Sequence, residues 1–559
     1  MQQPEGFVED KSKLNNINAL EPDHRVESEA GLSETWNPNH PELQCAGVSL
    51  IRRTIDPNGL HLPSFSPSPQ LIFIIQGKGV LGLSVPGCPE TFEELQSQSR
   101  QRSRQQQQPD SHQKIRRFSK GDVIAIPPGI PYWTFNHGNE PLVAISLLDT
   151  SNFENQLDST PRVFYLGGNP DAEFPETQEE QHRERHQQRH SMPGPGGRKG
   201  GHHQQEEESE EQNEGNSVLS GFSSEFLAQA LNTDQDTAKR LQSPRDKRSQ
   251  IVRVEGGLRI IVPDWQEDEE EQSQSHTEEE EEDDDEWRSR RSPSHKTEDL
   301  DEDEGQEERT PWPRRHSDEY DEEYWKHKFR RHGREEDEPC SSESCRRSQK
   351  HCEEKQGSRG RGEEDEKCER RRSIGKERSN GLEETICSAK IHENIAHPAR
   401  ADLYNPRAGR ISTVNSLTLP ILRNLRLSAE YVVLYRNGIY APHWNMNANS
   451  LMYVIRGRGR VRIVNCEGNA VFDDNVKKGQ LLVVPQNFVV AEQAGEEEGF
   501  EYVVFKTNDR ASVSHVKQVF RATPGQILAN VFGLRPREVT ELKFSGNRGP
   551  LIQPQSQSH

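Results

Sequence analysis

The sequence predicts a mainly β fold: two tandem antiparallel β-barrels, each followed by a small helical extension, with long acidic or polar inserts. Three observations predict it. Short apolar runs alternate with Gly- and Pro-rich turns, the mark of antiparallel strands. The pattern occurs twice, in the same order. The chain of 559 residues is too long for one ordinary core, yet only 29% of it is hydrophobic and its mean hydropathy is −1.03. That shortfall is concentrated in residues 96–113, roughly 171–216 and 266–380, with ordinary apolar alternation between them.

The first copy contains Gln70-Leu71-Ile72-Phe73-Ile74-Ile75-Gln76-Gly77-Lys78-Gly79-Val80-Leu81-Gly82-Leu83. The second contains Ser450-Leu451-Met452-Tyr453-Val454-Ile455-Arg456-Gly457-Arg458-Gly459-Arg460-Val461-Arg462-Ile463. In each, an apolar strand meets a Gly-x-Gly turn and a further strand. Gly121–Pro127 then parallels Gly479–Pro485, and Pro141–Leu147 parallels Glu501–Phe505. The entries correspond too, Trp36-Asn37-Pro38 against Tyr404-Asn405-Pro406.

Helices follow each barrel. Phe222, Phe226, Leu227, Ala230 and Leu231 lie at helical spacing, and Thr233-Asp234 reads as the cap of a second short helix. After the second barrel, Thr523 reads as an N-cap with Pro524 in the first turn, then Ile527, Leu528, Val531 and Phe532, with Gly533 as a stop and 537–544 as a further helix. Residues 266–380 differ: Glu278–Glu282, Asp283–Asp285 and Glu286 form one acidic run, and like charges at that density bury too little apolar surface to offset chain entropy. This segment is expected to be disordered and exposed. The division is therefore 1–265 for the first barrel and its helices, 266–380 for the linker, 381–544 for the second barrel and its helices, and 545–559 for a flexible tail.

The net charge of −22 is uneven. Residues 381–559 carry 21 Lys+Arg and 16 Asp+Glu, or +5, leaving −22 − 5 = −27 on the first 380. No concentrated basic stripe exists to release counterions from a duplex, which argues against nucleic acid. No apolar run reaches transmembrane length, and Met1-Gln2-Gln3-Pro4-Glu5 lacks the basic start and apolar stretch of a secretory signal.

At the junction of the charged linker and the second apolar pattern stands Asn380-Gly381-Leu382-Glu383-Glu384-Thr385-Ile386-Cys387. An Asn-Gly pair there is a protease-accessible turn. The run resembles the processing site of the legumin-type (11S) seed storage globulins, members of the cupin superfamily, and the resemblance extends over both folded parts. It implies a non-catalytic nutrient reservoir, cut between Asn380 and Gly381 by an asparagine-specific protease into acidic and basic chains. Trimers before the cut would become hexamers after it, because the acidic insert tethered at both ends would repel a second trimer. The barrel-end helices would pack on a neighbouring subunit. The resemblance also implies the secretory route to the protein storage vacuole, with the signal peptide absent from this chain.

It implies a disulfide as well. Cys88, in Val85-Pro86-Gly87-Cys88-Pro89, matches the family position that pairs across the cut with Cys387. Cys45 usually pairs with a cysteine six residues before the Asn18-Ala19-Leu20 motif, but Ser12 stands there, so Cys45 is free or joined to a linker cysteine. Cys466 reads as a buried thiol. Cys340, Cys345, Cys352 and Cys368 lack zinc-site spacing.

Catalytic cupins hold a metal with three His and one Glu on inward-facing strands. In the second barrel His443 matches the first His, but Asn445 and Ser450 replace the second His and the Glu, and Val490 the last His. In the first, the early pair is Ser64 and Ser66 or Pro63 and Phe65; Gln70 replaces the Glu and Tyr132 the last His. Neither set builds a site, so no metal and no cofactor are expected. His182, His186, His190, His202 and His203 read as polar-loop residues. Two rivals remain, a metal-dependent bicupin enzyme and a small-ligand-binding bicupin. Composition favours storage: Gln, Asn, Arg and Glu abound, against 4 Met and 8 Cys.

Overall fold

A Gly-x-Gly turn marks the middle of each barrel, and the backbone explains the glycine. Gly77 and Gly457 have φ of 84° and 72°. A Cβ at Gly77 would come within 2.9 Å of Pro141 O, and one at Gly457 within 1.8 Å of Gly499 O. Each glycine lets a strand swing from one sheet of its barrel into the other.

The computed structural model describes residues 14–90, 92–93, 111–175, 216–242, 245–258, 387–545 and 549–553. Ser12, most of the first two polar inserts, the loop histidines, the 266–380 linker with its four cysteines, and Asn380-Gly381 lie outside the described residues. All described residues belong to one folded unit, built from the chain on both sides of residues 263–380.

In chain order the first part contributes β1 (His24–Ser28), β2 (Gly31–Thr35), α1 (Pro41–Ala46), β3 (Val48–Ile55), β4 (Gly59–Phe65), β5 (Gln70–Gln76), β6 (Lys78–Leu83), β7 (Phe92–Glu93), β8 (Ser111–His112), β9 (Ile115–Ser119), β10 (Asp122–Ile126), β11 (Tyr132–Phe135), β12 (Leu142–Asp149), β13 (Phe164–Tyr165), α2 (Ser224–Ala230), α3 (Gln235–Gln242) and β14 (Ile251–Arg253). The second contributes β15 (His392–Asn394), β16 (Leu403–Asn405), β17 (Gly409–Val414), α4 (Leu422–Leu425), β18 (Ser428–Leu434), β19 (Ile439–Asn445), β20 (Ser450–Val464), β21 (Ala470–Lys477), β22 (Leu481–Val484), β23 (Val489–Ala494), β24 (Phe500–Lys506), β25 (Val513–His515), α5 (Val516–Ala522), α6 (Gly525–Phe532), α7 (Pro536–Phe544) and β26 (Leu551–Ile552). The first barrel pairs a sheet of order β1-β2-β3-β12-β5-β10-β15 with one of order β13-β4-β11-β6-β9. The second repeats the scheme, except that β20 runs unbroken through both sheets.

The central strands are apolar on both faces because both faces are covered. Ile72 and Ile74 point into the first barrel, whereas Leu71 and Phe73 belong to a core shared by the two barrels. Likewise Met452, Val454, Tyr502 and Val504 fill the second barrel, and Leu451, Tyr453, Val503 and Phe505 face the first. Across that shared layer Phe73 stacks on Tyr431 at 5.7 Å, Trp36 meets Tyr453 edge-on at 6.0 Å, and Arg52 donates to the Tyr453 hydroxyl at 2.9 Å. The matched entries diverge here: Trp36 is fully buried, while Tyr404 is exposed.

The barrels also exchange strands, which corrects the division by chain order. Ile17 and Leu20 bond to Val471 and Leu481 of the second barrel. In return β15, just beyond Cys387, pairs antiparallel with β10 as the edge strand of the first barrel, Asp122 opposite Asn394. Residues 549–553, expected as part of a flexible tail, close the second barrel instead: β26 pairs with β19, and Leu551 is buried.

The helices form where periodicity placed them, with adjusted caps. Ser223 caps α2 by accepting from Phe226 N–H, and Asp234 caps α3 by accepting from Thr237 N–H. Thr523 closes α5, leaving Pro524 as the N-cap of α6, because its fixed φ suits the chain entering a new helix. Gly533 ends α6 in the left-handed conformation at φ 66°.

Candidate functional site

In the second barrel, β19 and β23 place His443 directly opposite Val490, so the first and last ligand positions of a cupin metal site face each other. The ring is buried. Its Nδ1 donates to Ala441 O at 3.0 Å, and it stacks on Tyr440 with centroids 3.9 Å apart. Asn445 and Ser450 sit beside it, both buried. Burial, opposed only in part by the Ala441 bond, holds the imidazole down at about 3. At the four family positions, a neutral ring, an amide, a hydroxyl and an isopropyl group offer one nitrogen ligand and no charge to a metal. Among the described residues, no group of three or more His, Cys, Asp and Glu is placed to hold an ion.

The first barrel settles its own alignment. Ser64 lies opposite Tyr132 as His443 lies opposite Val490, and Ser64 and Ser66 are buried while Pro63 and Phe65 are half-buried. Tyr132 donates to Gln70 Oε1 at 3.1 Å. Behind them the Arg53 guanidinium donates two bonds to Glu173, at 2.8 and 3.1 Å, in a site where both residues are 5% exposed. Burial alone would lower the Arg53 pKa, but Glu173 opposite keeps it above the ordinary value. His61 is wedged between Tyr132 and Tyr165, and burial and the Arg53 charge push its pKa well below 6.5.

The sequence reading missed the charged side chains inside the second barrel. Lys506 forms an ion pair with Glu430, and Glu492 Oε2 stands 3.9 Å from His443 Nδ1. They border a small cavity of about 20 Å³, room for about one water. The signal was present: a lone Glu inside the apolar run Ser428–Leu434 and a Lys closing the run Phe500–Lys506.

Of the cysteines, the structure brings Cys88 and Cys387 together as a disulfide with Cα atoms 5.5 Å apart. The Cys88 loop is held by Gln113, whose amide donates to Val85 O at 2.9 Å and Cys88 O at 3.0 Å. Cys45 is exposed and has no disulfide partner among the described residues. The same holds for Cys466, which is exposed rather than buried because it occupies the Asn465–Asn469 turn between β20 and β21.

The barrel-end helices show large apolar side chains to solvent. Phe222, Phe226 and Leu231 are 48, 56 and 52% exposed around α2, and Ile527, Val531 and Phe532 are 51, 65 and 51% exposed on α6. No described helix is long and apolar enough to cross a membrane.

A family model described as Cupin matches residues 17–172 and 393–540. Legumin J of Pisum sativum is 70% identical over 98% of this chain and 93% of its own length. Glycinin G4 of Glycine max is 57% identical over 98% and 93%. The crystal structure of the coconut allergen cocosin superposes with a TM-score of 0.64 at 34% identity, covering 97% of this chain and 99% of that one.

Proposed function

This chain belongs to the legumin-type (11S) seed storage globulins, and from that premise we propose that it is cut once, between Asn380 and Gly381, into disulfide-linked acidic and basic chains that assemble into hexamers in storage vacuoles. The observation that carries this reading is the Cys88–Cys387 bond, which would join the two pieces across the cut. The exchanged strands support it, since each piece keeps part of its backbone in the other's barrel.

A choice among Asn-Gly bonds supports the single cut. Asn58-Gly59 and Asn437-Gly438 sit in equivalent turns, each closed by a glycine N–H, to Asp56 O at 2.8 Å and to Tyr435 O at 2.7 Å. A closed turn between two strands, each hydrogen-bonded into its own sheet, cannot extend into a protease cleft. Asn380-Gly381 is the third such pair. The exposed apolar faces of α2 and α6 support trimer formation, each offering a surface that its own barrel leaves uncovered.

Protein from seed tissue tests the reading on reducing and non-reducing gels, with N-terminal sequencing of the smaller reduced piece. The expected start is Gly-Leu-Glu-Glu. A different start, or an uncut chain, overturns the proposed site. Light scattering before and after cleavage is expected to show a trimer and then a hexamer; a hexamer before cleavage would remove the cut as the trigger.

A further inference from the structure

Two carboxylates share one lysine inside the second barrel. Glu430 of β18 is paired with Lys506 of β24, and the two are 4 and 5% exposed. Glu492 of β23 is 3% exposed and has no cation of its own. Its Oε2 makes no hydrogen bond, and the nearest imidazole nitrogen, His443 Nδ1, is engaged with Ala441 O. The other titratable groups lining this space are Tyr440 of β19 and Tyr502 of β24, and His515, which ends β25, packs edge-on against Tyr440 and His443. Neither phenol can carry a positive charge, and burial disfavours the charged form of both imidazoles, lowering each below its ordinary value.

The neutral lining shows the same deficit. Asn445 Oδ1, a pure acceptor, has no donor, and it borders the same cavity as the unpartnered Glu492 Oε2. Ser450 Oγ and Tyr502 Oη border the same cavity and are likewise unpartnered, so no hydroxyl of the lining donates to either acceptor, and a protonated Glu492 carboxyl would supply the missing donor. An ionised Glu492 would instead be a second buried anion beside Glu430, the arrangement a closed barrel disfavours most.

We propose that Glu492 is a proton-operated lock on the second barrel, closed while its carboxyl carries a proton and released as it ionises. Burial and the Glu430 charge raise its pKa well above the ordinary carboxyl range, with Lys506 opposing. The sign follows from linkage. A carboxyl raised in the folded state contributes its full stability below the unfolded value, about 4.3. That contribution is lost as pH rises from there towards the folded value, tenfold in the folding equilibrium for each pH unit. The lock goes beyond the storage role: it makes the pH of the surroundings a control on how readily this barrel opens to proteolysis.

The test compares thermal unfolding of the full chain with that of Glu492→Gln, which keeps the shape and hydrogen bonds but cannot ionise, from pH 4 to pH 8. The two are expected to melt together at pH 4. The variant should then gain, reaching about 5 °C or more above the native protein by pH 8. A gap that does not change with pH overturns the lock, whichever protein melts higher. If the variant fails to fold, the native protein still decides. Calorimetry of the native protein from pH 5 to pH 8, in buffers of different ionisation enthalpy, should show proton release on unfolding once the uptake by His61 and His443 is subtracted. No such release anywhere in that range overturns the proposal.

Discussion

Leu20 and Leu481 exchange both of their backbone hydrogen bonds, at 2.7 and 2.9 Å, although they stand on opposite sides of the proposed cut. Leu20 is also buried in the core shared by the barrels. Strand pairing and apolar burial thus hold the pieces together independently of the disulfide. After cleavage and full reduction, they are expected to co-elute on size exclusion without denaturant. Leu20→Ala should lower stability by about 2–4 kcal/mol, read as a lower denaturant midpoint of the reduced protein. Separation of the pieces on reduction alone would assign the cohesion to the sulfur bridge.

With Cys88→Ser, the cleaved protein is expected to run as two bands on a non-reducing denaturing gel. The uncut variant should lose roughly 2–4 kcal/mol of stability. Pieces that remain covalently joined would reveal another partner for Cys387.

Phe226→Glu on α2 and Val531→Glu on α6 replace side chains that are more than half exposed, so neither disturbs a core. Each is expected to leave the melting of the isolated chain within about 0.5 kcal/mol of native. Light scattering should nevertheless show monomers in place of the proposed trimer. Intact trimers in both variants would mean that these faces meet something other than a sister subunit.

Each barrel buries a neutral imidazole, His61 in the first and His443 in the second, the latter held at about 3. The unfolded chain protonates these rings below pH about 6.5, whereas the folded chain does not. Stability is therefore expected to fall as pH drops below about 6.5, by up to ~1.4 kcal/mol per pH unit for each ring, the His443 contribution ending at about 3. Replacing His61 with Phe, which retains the contacts with Tyr132 and Tyr165, should flatten that acid limb in melts between pH 7 and 4. An unchanged slope would place the acid sensitivity elsewhere.

What was legible in the sequence was whatever repeats with period two or 3.6. The paired Gly-x-Gly strands could be read because Gly77 and Gly457 relieve the same steric conflict, and α2 and α6 because their apolar residues recur on one face. The strand exchange was not legible. Leu20 and His392–Asn394 are single or three-residue contributions to a sheet, too short for periodicity, with partners far away in sequence. Thr523 misled because it stands one residue before a proline that itself opens α6. Cys466 misled because an apolar strand ends two residues before it, at Val464, and burial ends there too. The ion pair of Glu430 and Lys506 could be found only once two strands were known to share a wall.

The chain leaves the first barrel after β14 and re-enters it at the Cys387 bridge and β15, so whatever lies between begins and ends on the same barrel. Closure entropy of such a loop grows only with the logarithm of its length, about 0.6 kcal/mol for each doubling. The barrels therefore present a fixed doorway through which sequence can be inserted or lost at almost no cost to the fold. Selection on amino-acid content can act between positions 258 and 387 while selection on shape acts everywhere else.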